Sequence, residues 1–193
     1  FAEENGLRSP ISEGSVWVID PIDGTNNFVT QKEDFAVMVA YFEDGIGQFG
    51  LIYDVMRDHL FYGGGEFPVY RNEVELTPFV DQPLENLLIA SNVGMLEKND
   101  WGMADLGMDS LGIRVYGSAG ISFSKILSGG ILAYFSYIWP WDYAAAAIMG
   151  EQLGYTVLNL NGDRPNYQTV EPIMMVPKVK LTEIQTYLKK GRS

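Results

Sequence analysis

A layered α/β fold is predicted, with an antiparallel sheet unit first and an α/β unit second, and three observations predict it. Residues 34–76 form short β-branched and aromatic runs separated by turn signals, as in an antiparallel meander. Beyond Pro83, strand-like runs alternate with helix-like ones, as in an α/β unit. Between the two, Thr77-Pro78 and Gln82-Pro83 interrupt both patterns, so the units are taken as residues 1–79 and 80–193.

The elements follow in chain order. Ser15 to Asp20 is short, apolar and β-branched, a buried strand expected to end at Pro21. Asp23-Gly24-Thr25-Asn26-Asn27 is a turn with several possible helix caps. Strands are expected over 35–42, 47–55, 59–62 and 74–76, with turns at Glu43-Asp44-Gly45 and Arg57-Asp58 and a break at Gly63-Gly64-Gly65. In the second unit, Leu87–Ser91, Arg114–Tyr116, Ile131–Tyr137, Tyr155–Leu160 and Pro172–Val176 read as strands. An amphipathic helix follows Gly117-Ser118-Ala119, and an alanine-rich helix over 141–153 is stopped by Gly154. The last helix spans 181–190.

Composition narrows the function classes. With 47% apolar and 20% charged residues, the chain can offset the entropy of ordering and is globular. It has no cysteine, which excludes disulfides, thiolate metal sites and cysteine nucleophiles, and is compatible with a cytoplasmic location. A single histidine, His59, excludes any centre that needs two imidazoles. The net charge of -12 argues against nucleic-acid binding, and no run is long enough to span a bilayer. The same charge would repel a phosphate ester unless bound cations reverse the local field.

One segment carries most of the chemistry. In Asp20-Pro21-Ile22-Asp23-Gly24-Thr25, two carboxylates stand three residues apart at the end of a buried strand. Crowded acids must either take up a proton or share a cation, and oxygen-only ligands suit magnesium, calcium or manganese. The amides of Gly24 and Thr25 lie where a helix or nest could begin and could receive an anion. Two further acidic positions are Asp142, in the first turn of the alanine-rich helix, and Glu3-Glu4 near the start. Taken singly, these segments also fit a capped turn, a helix cap and a solvated pair.

Together they are similar to the inositol monophosphatase family. Trp17-Val-Ile-Asp20-Pro-Ile-Asp23-Gly-Thr25-Asn-Asn27-Phe28 resembles its first signature, and Trp141-Asp142-Tyr-Ala-Ala145, closing with Glu151 and Gly154, resembles its second. Glu3-Glu4 resembles its Glu-Glu segment, and Gly117-Ser118-Ala119 its pocket-lining element. The resemblance implies a layered α-β-α-β-α sandwich that hydrolyses a small phosphate monoester with a metal-activated water. It implies two or three magnesium ions held by Glu3, Asp20, the carbonyl of Ile22, Asp23 and Asp142. Thr25, Glu3 and Asp20 would be catalytic. Gly24, Thr25, Ser91, Gly117, Ser118, Ala119 and Asp142 would touch substrate. A cytoplasmic homodimer is the expected state.

Two departures shape the expectation. The family carries residues before the Glu-Glu segment, including helices that cover the sheet; they are absent here and are expected to belong to the full protein. Inositol-specific members carry a glutamate shortly before the second signature, but Tyr134-Phe-Ser-Tyr-Ile-Trp-Pro140 holds no acid. The substrate is therefore left open among an inositol phosphate, a sugar bisphosphate and a nucleotide phosphate such as NADP. A non-catalytic metal- or phosphoinositide-binding module and a calcium-binding structural protein are the alternatives. Trp139 and Trp141 either pack or floor the pocket, and Arg114 either pairs with an acid or touches substrate.

Overall fold

The computed structural model describes residues 10–190, with side chains up to Leu188. It begins with β1 (Ser15–Asp23), a short helix α1 (Thr25–Thr30), β2 (Ala36–Glu43), β3 (Ile46–Asp54), β4 (His59–Gly64), β5 (Phe67–Arg71) and β6 (Val74–Glu75). Then come β7 (Leu88–Ser91), α2 (Val93–Glu97), α3 (Met103–Asp109), β8 (Gly112–Arg114), α4 (Ala119–Leu127), β9 (Ala133–Ile138) and α5 (Pro140–Gln152). The chain continues with β10 (Tyr155–Asn159), β11 (Glu171–Pro177) and α6 (Leu181–Lys190). No described helix is long and apolar enough to cross a membrane.

Strands β1 to β6 pair in sequence order as one antiparallel sheet, the meander expected of this part of the chain. Along β1 and β2 the pleat alternates: Val16, Val18, Ala36, Met38 and Ala40 point inward and are buried. β1 does not end at Pro21 as expected. It runs on to Asp23 through a bulge, because Asp20 pairs with Met38 and Asp23 with Ala36, giving β1 one extra residue. Proline has no N–H to donate, so a bulge is where a strand can hold it. The extra residue also shifts the pleat by one step. Asp20 and Asp23, three apart in sequence, are both buried and belong to one candidate metal cluster.

The second sheet has the order β10-β11-β9-β7-β8, with β7 parallel to β8 and β9 and the remaining pairs antiparallel. Helices α4 and α5 lie between the sheets. Their buried cluster draws Met38 and Ile52 from the first sheet and Tyr134 and Met175 from the second. A second cluster, including Met103, Leu106, Ile184 and Leu188, joins α3 and α6 to the second sheet through Phe135 and Met174. The described residues thus build β-α-β-α layers of an α/β sandwich. On the first sheet's other face, Val37, Leu51, Leu60 and Tyr62 stay partly exposed around an open hollow.

Helix α5 approaches the first sheet at bare backbone. A Cβ on Gly50 of β3 would stand 2.4 Å from the carbonyl oxygen of Ala145, and one on Gly64 of β4 would stand 2.7 Å from that of Ile148. No rotamer change relieves a clash with backbone. Gly50→Val should therefore destabilise the fold by about 3 kcal/mol, the upper end for overpacking. Thermal unfolding followed by circular dichroism should show Tm lowered by roughly 6–12 °C. A fall of less than about 2 °C would mean that α5 can shift freely on the sheet.

Candidate metal and phosphate site

Two elements deliver three carboxylates to a common place. Asp20 sits before the bulge of β1, Asp23 ends that strand, and Asp142 lies in the first turn of α5. Each offers an oxygen, and the three oxygens lie within 4.8 Å of one another. Asp20 and Asp23 are buried, at 1% and 6% exposure. At an effective dielectric constant of about 20, two charges this close repel by about 3 kcal/mol.

Each acid is aimed by its own partners. Asp20 accepts from the N–H of Ile22 at 3.0 Å. Asp142 accepts from the N–H of Trp139 at 2.8 Å, while its own N–H donates to the Trp139 carbonyl at 3.0 Å. Pro140, which needs no amide partner, opens the helix between them. Asp23 is held by the start of α4. It accepts from the Ser118 hydroxyl, from the Ala119 N–H at 3.1 Å and from the Gly120 N–H at 2.9 Å. Burial pushes the Asp23 carboxyl above its ordinary range, against the opposing pull of those hydrogen bonds. A cation among the three acids would restore the ionised form.

Helix α1 begins beside this cluster. Gly24, its N-cap, has φ of 81°, and a Cβ there would lie 2.9 Å from the Ser118 Cβ. Conformation and space both call for glycine at this position. Thr25 is exposed in the first turn, and its hydroxyl donates to the Ile22 carbonyl at 3.0 Å. That carbonyl, an expected ligand, keeps a second lone pair.

A cavity of about 280 Å³ opens next to the acids, lined by Asp23, Ser91, Gly117, Ser118, Ala119 and Asp142 among others. The Ser118 hydroxyl donates to Asp23 and accepts from the Ile121 N–H at 3.1 Å, so its side chain holds an acid and caps α4. The Ser91 hydroxyl donates to the Asn92 carbonyl at 3.3 Å. Asp20 and Thr25 stand beside the cavity without lining it. Glu3 lies outside the described residues. Trp139 and Trp141 stack on each other at 4.9 Å, and Trp141 is buried in the core cluster.

Asn27 is not among the site residues expected from sequence, although it belongs to the first motif. Its side-chain amide donates to the carbonyls of Asp34, at 2.9 Å, and Tyr116, at 2.7 Å. It thereby ties α1 to the loop that leads into Ser118. Arg57 secures the far side of this junction, pairing with Asp34 at 2.8 Å and with buried Asp54 at 3.1 Å. Asn92, next to Ser91 at the strand end, also lines the cavity, and so do Tyr134, Ser136 and Tyr137, which were not among the expected site residues. Ser136 and Tyr137 stand in the segment just before the second motif, which holds no acid but offers a hydroxyl and a phenol.

The model of the inositol monophosphatase family matches residues 1–191. The chain belongs to the inositol monophosphatase family. It is similar to the inositol-1-monophosphatase of Bacillus subtilis (strain 168), with 38% identity over 166 residues, covering 83% of this chain and 63% of that protein. Among solved structures, inositol monophosphatase-II from Staphylococcus aureus MSSA476 superposes with a TM-score of 0.92 at 32% identity, covering 98% of this chain and 73% of that one. A structure described as IMPase/NADP phosphatase with Mg2+ and phosphate gives 0.88 at 25% identity, covering 97% and 71%. This family member thus spans less than two thirds of the length of its Bacillus relative.

Asp142→Asn removes one of three mutually repelling charges, and its amide oxygen can still accept from Trp139. In magnesium-free buffer the variant should unfold about 2–4 °C above the parent, the shift that about 1 kcal/mol produces in a chain of this size. Added magnesium should raise the parent's Tm and leave the variant's nearly unmoved. Because the folded-state pKa of Asp23 is raised, the metal-free fold gains stability as pH falls toward that value, and protons compete with cations over the same interval. Equal magnesium stabilisation of parent and variant in scanning calorimetry would remove Asp142 from the ligand set.

Proposed function

We propose that the protein hydrolyses a small phosphate monoester with magnesium as cofactor. The observation that carries this reading is the gathering of Asp20, Asp23 and Asp142 within 4.8 Å, beside a cavity closed by the start of α4. The donor set is all oxygen and anionic, which fits a hard divalent cation. Related structures described as bound to inositol monophosphate, 2'AMP or NADP support a small phosphorylated substrate.

In this reading Asp20, Asp23, Asp142 and the Ile22 carbonyl would hold two or three magnesium ions, with Glu3 completing the set on family resemblance. Bound magnesium supplies positive charge for the phosphate oxygens and Lewis acidity toward water. The first-turn amides of α1, at Gly24 and Thr25, have no partner within the helix and can receive phosphate oxygens. The Thr25 hydroxyl, anchored on Ile22, orients the attacking water together with Glu3. Water oxygen bonds to phosphorus as the ester P–O bond breaks, and the departing alkoxide takes up a proton derived from the water. Ser91, Gly117, Ser118, Ala119 and Asp142 surround the leaving group. The acids that give the chain its charge of -12 attract cations, and those cations draw in the anion. On family resemblance the protein acts as a cytoplasmic homodimer.

Phosphate release from a panel of monoesters tests this directly. Release should require magnesium, stop with EDTA, and fall at least about a thousandfold in Asp20→Asn or Asp142→Asn. Thr25→Val should lower kcat by about a hundredfold, the lower end for losing a group that positions the attacking water and accepts from it. Turnover that survives both EDTA and Asp142→Asn would remove the phosphatase reading and leave a binding module.

A further inference from the structure

The connection from α1 to β2 is strained where it passes behind Gly24. Lys32 and Asp34 both hold left-handed backbone, at φ of 59° and 50°. That conformation is uncommon for residues with a Cβ and persists where neighbouring contacts hold it. At Asp34 those contacts are specific. Its carbonyl accepts from the Asn27 side chain at 2.9 Å, and lies 3.1 Å from the point where a Cβ on Gly24 would stand. Gly24, the N-cap of α1, thus rests against it.

What holds Asp34 is Arg57, in the short helical turn Val55–Arg57 between β3 and β4. Its Nη2 donates to Asp34 at 2.8 Å and its Nη1 to Asp54 at 3.1 Å. A lone ion pair on a surface contributes little. This one is a fork with one prong on Asp54, a buried carboxylate at the end of β3. The guanidinium is thereby fixed from the core side and offers Asp34 a set position. From Asp34 the contacts run into the site. Asn27 uses its other amide hydrogen on the Tyr116 carbonyl, at 2.7 Å, and its Oδ1 lies 3.0 Å from where a Cβ on Gly117 would stand. Tyr116 and Gly117 lead into Ser118, which grips Asp23. Asp20 and Asp142 are aimed separately, by the amides of Ile22 and Trp139.

We propose that Arg57 is a positioning residue: acting through Asp34 and Asn27, it sets where Gly24 and Thr25 stand relative to the three acids, and so governs affinity for the phosphate group without altering the hold on magnesium. The proposal rests on the phosphatase reading above, in which Gly24 and Thr25 receive the phosphate. Without the ion pair, the Asp34 carbonyl is free to relax away from Gly24, and α1 gains room to shift. Phosphate contacts weaken when their donors are misplaced, while the acids stay where their own partners hold them.

The test uses Arg57→Ala, Asp34→Gly and the double variant at saturating magnesium, with the monoester that the parent hydrolyses fastest. Glycine adopts left-handed backbone freely, so Asp34→Gly removes the carboxylate without adding strain and leaves Arg57 on Asp54. In each single variant, KM for the ester and Ki for inorganic phosphate should rise together by about tenfold, a fraction of what a full ångström of misplacement costs. The value of kcat should change by less than about threefold, as for a loss of uniform binding. The magnesium concentration that gives half the rise in Tm should not move. The double variant should be no worse than either single one, because both break the same link. KM and Ki equal to the parent's in Asp34→Gly, whatever happens to Tm, would show a purely structural pair and overturn the proposal, as would a double variant whose losses multiply. Because Asp34→Gly keeps buried Asp54 paired, it decides the matter even where Arg57→Ala fails to fold. A parent that releases phosphate from no ester would instead overturn the phosphatase reading, and this proposal with it.

Discussion

Three carboxylates that repel one another are held within 4.8 Å, two of them buried, and most of the local structure can be understood as what prevents them from separating. Left to themselves they would move apart or take up protons. The bulge in β1 turns Asp20 and Asp23 to one face, the start of α4 grips Asp23 with three donors, and Trp139 fixes Asp142 at the head of α5. Each device uses backbone groups that would otherwise need another partner at a helix end or a strand irregularity. The site is thus assembled from places where regular hydrogen bonding runs out.

These devices come from segments about a hundred residues apart, so their mutual placement depends on the layers between the sheets. Asn27 joins α1 to the loop before α4, and Arg57 braces the turn at Asp34 from behind. Neither residue need touch a ligand to matter. Loss of either would loosen the geometry in which Asp23 and Gly24 meet Ser118.

Much of the fold was legible in the sequence because its strands are short, β-branched and cleanly separated by turn residues. Phe35–Phe42 and Tyr155–Leu160 agree with the observed β2 and β10 to within a residue or two at their ends. The region 92–113 was not legible. Its helices α2 and α3 are five and seven residues long, too short for a clear helical period, and are joined through Asn99 and Trp101, both with positive φ. Within the site, the acids announced themselves through type and spacing. The bulge did not, since Pro21 signals an end of strand as readily as an irregularity within one. The double role of Ser118 was hidden for another reason: a helix cap and a grip on an acid 95 residues away leave the same mark in sequence. Family resemblance supplied the Ile22 carbonyl and the ligand role expected of Glu3, which outside that resemblance is half of an ordinary acidic pair.

The close contact at Gly50 has a consequence beyond packing. Asp20 and Asp23 ride on the first sheet and Asp142 on α5, and where sheet and helix meet at Gly50 and Ala145 only peptide backbone lies between them. The gap between the acids is therefore gauged by the thickness of two main chains, which cannot be compressed, rather than by side chains that can repack. Such a frame works as a caliper. It keeps the spacing of the acids steady when side chains nearby repack, and even one methyl group added at Gly50 would press helix and sheet apart.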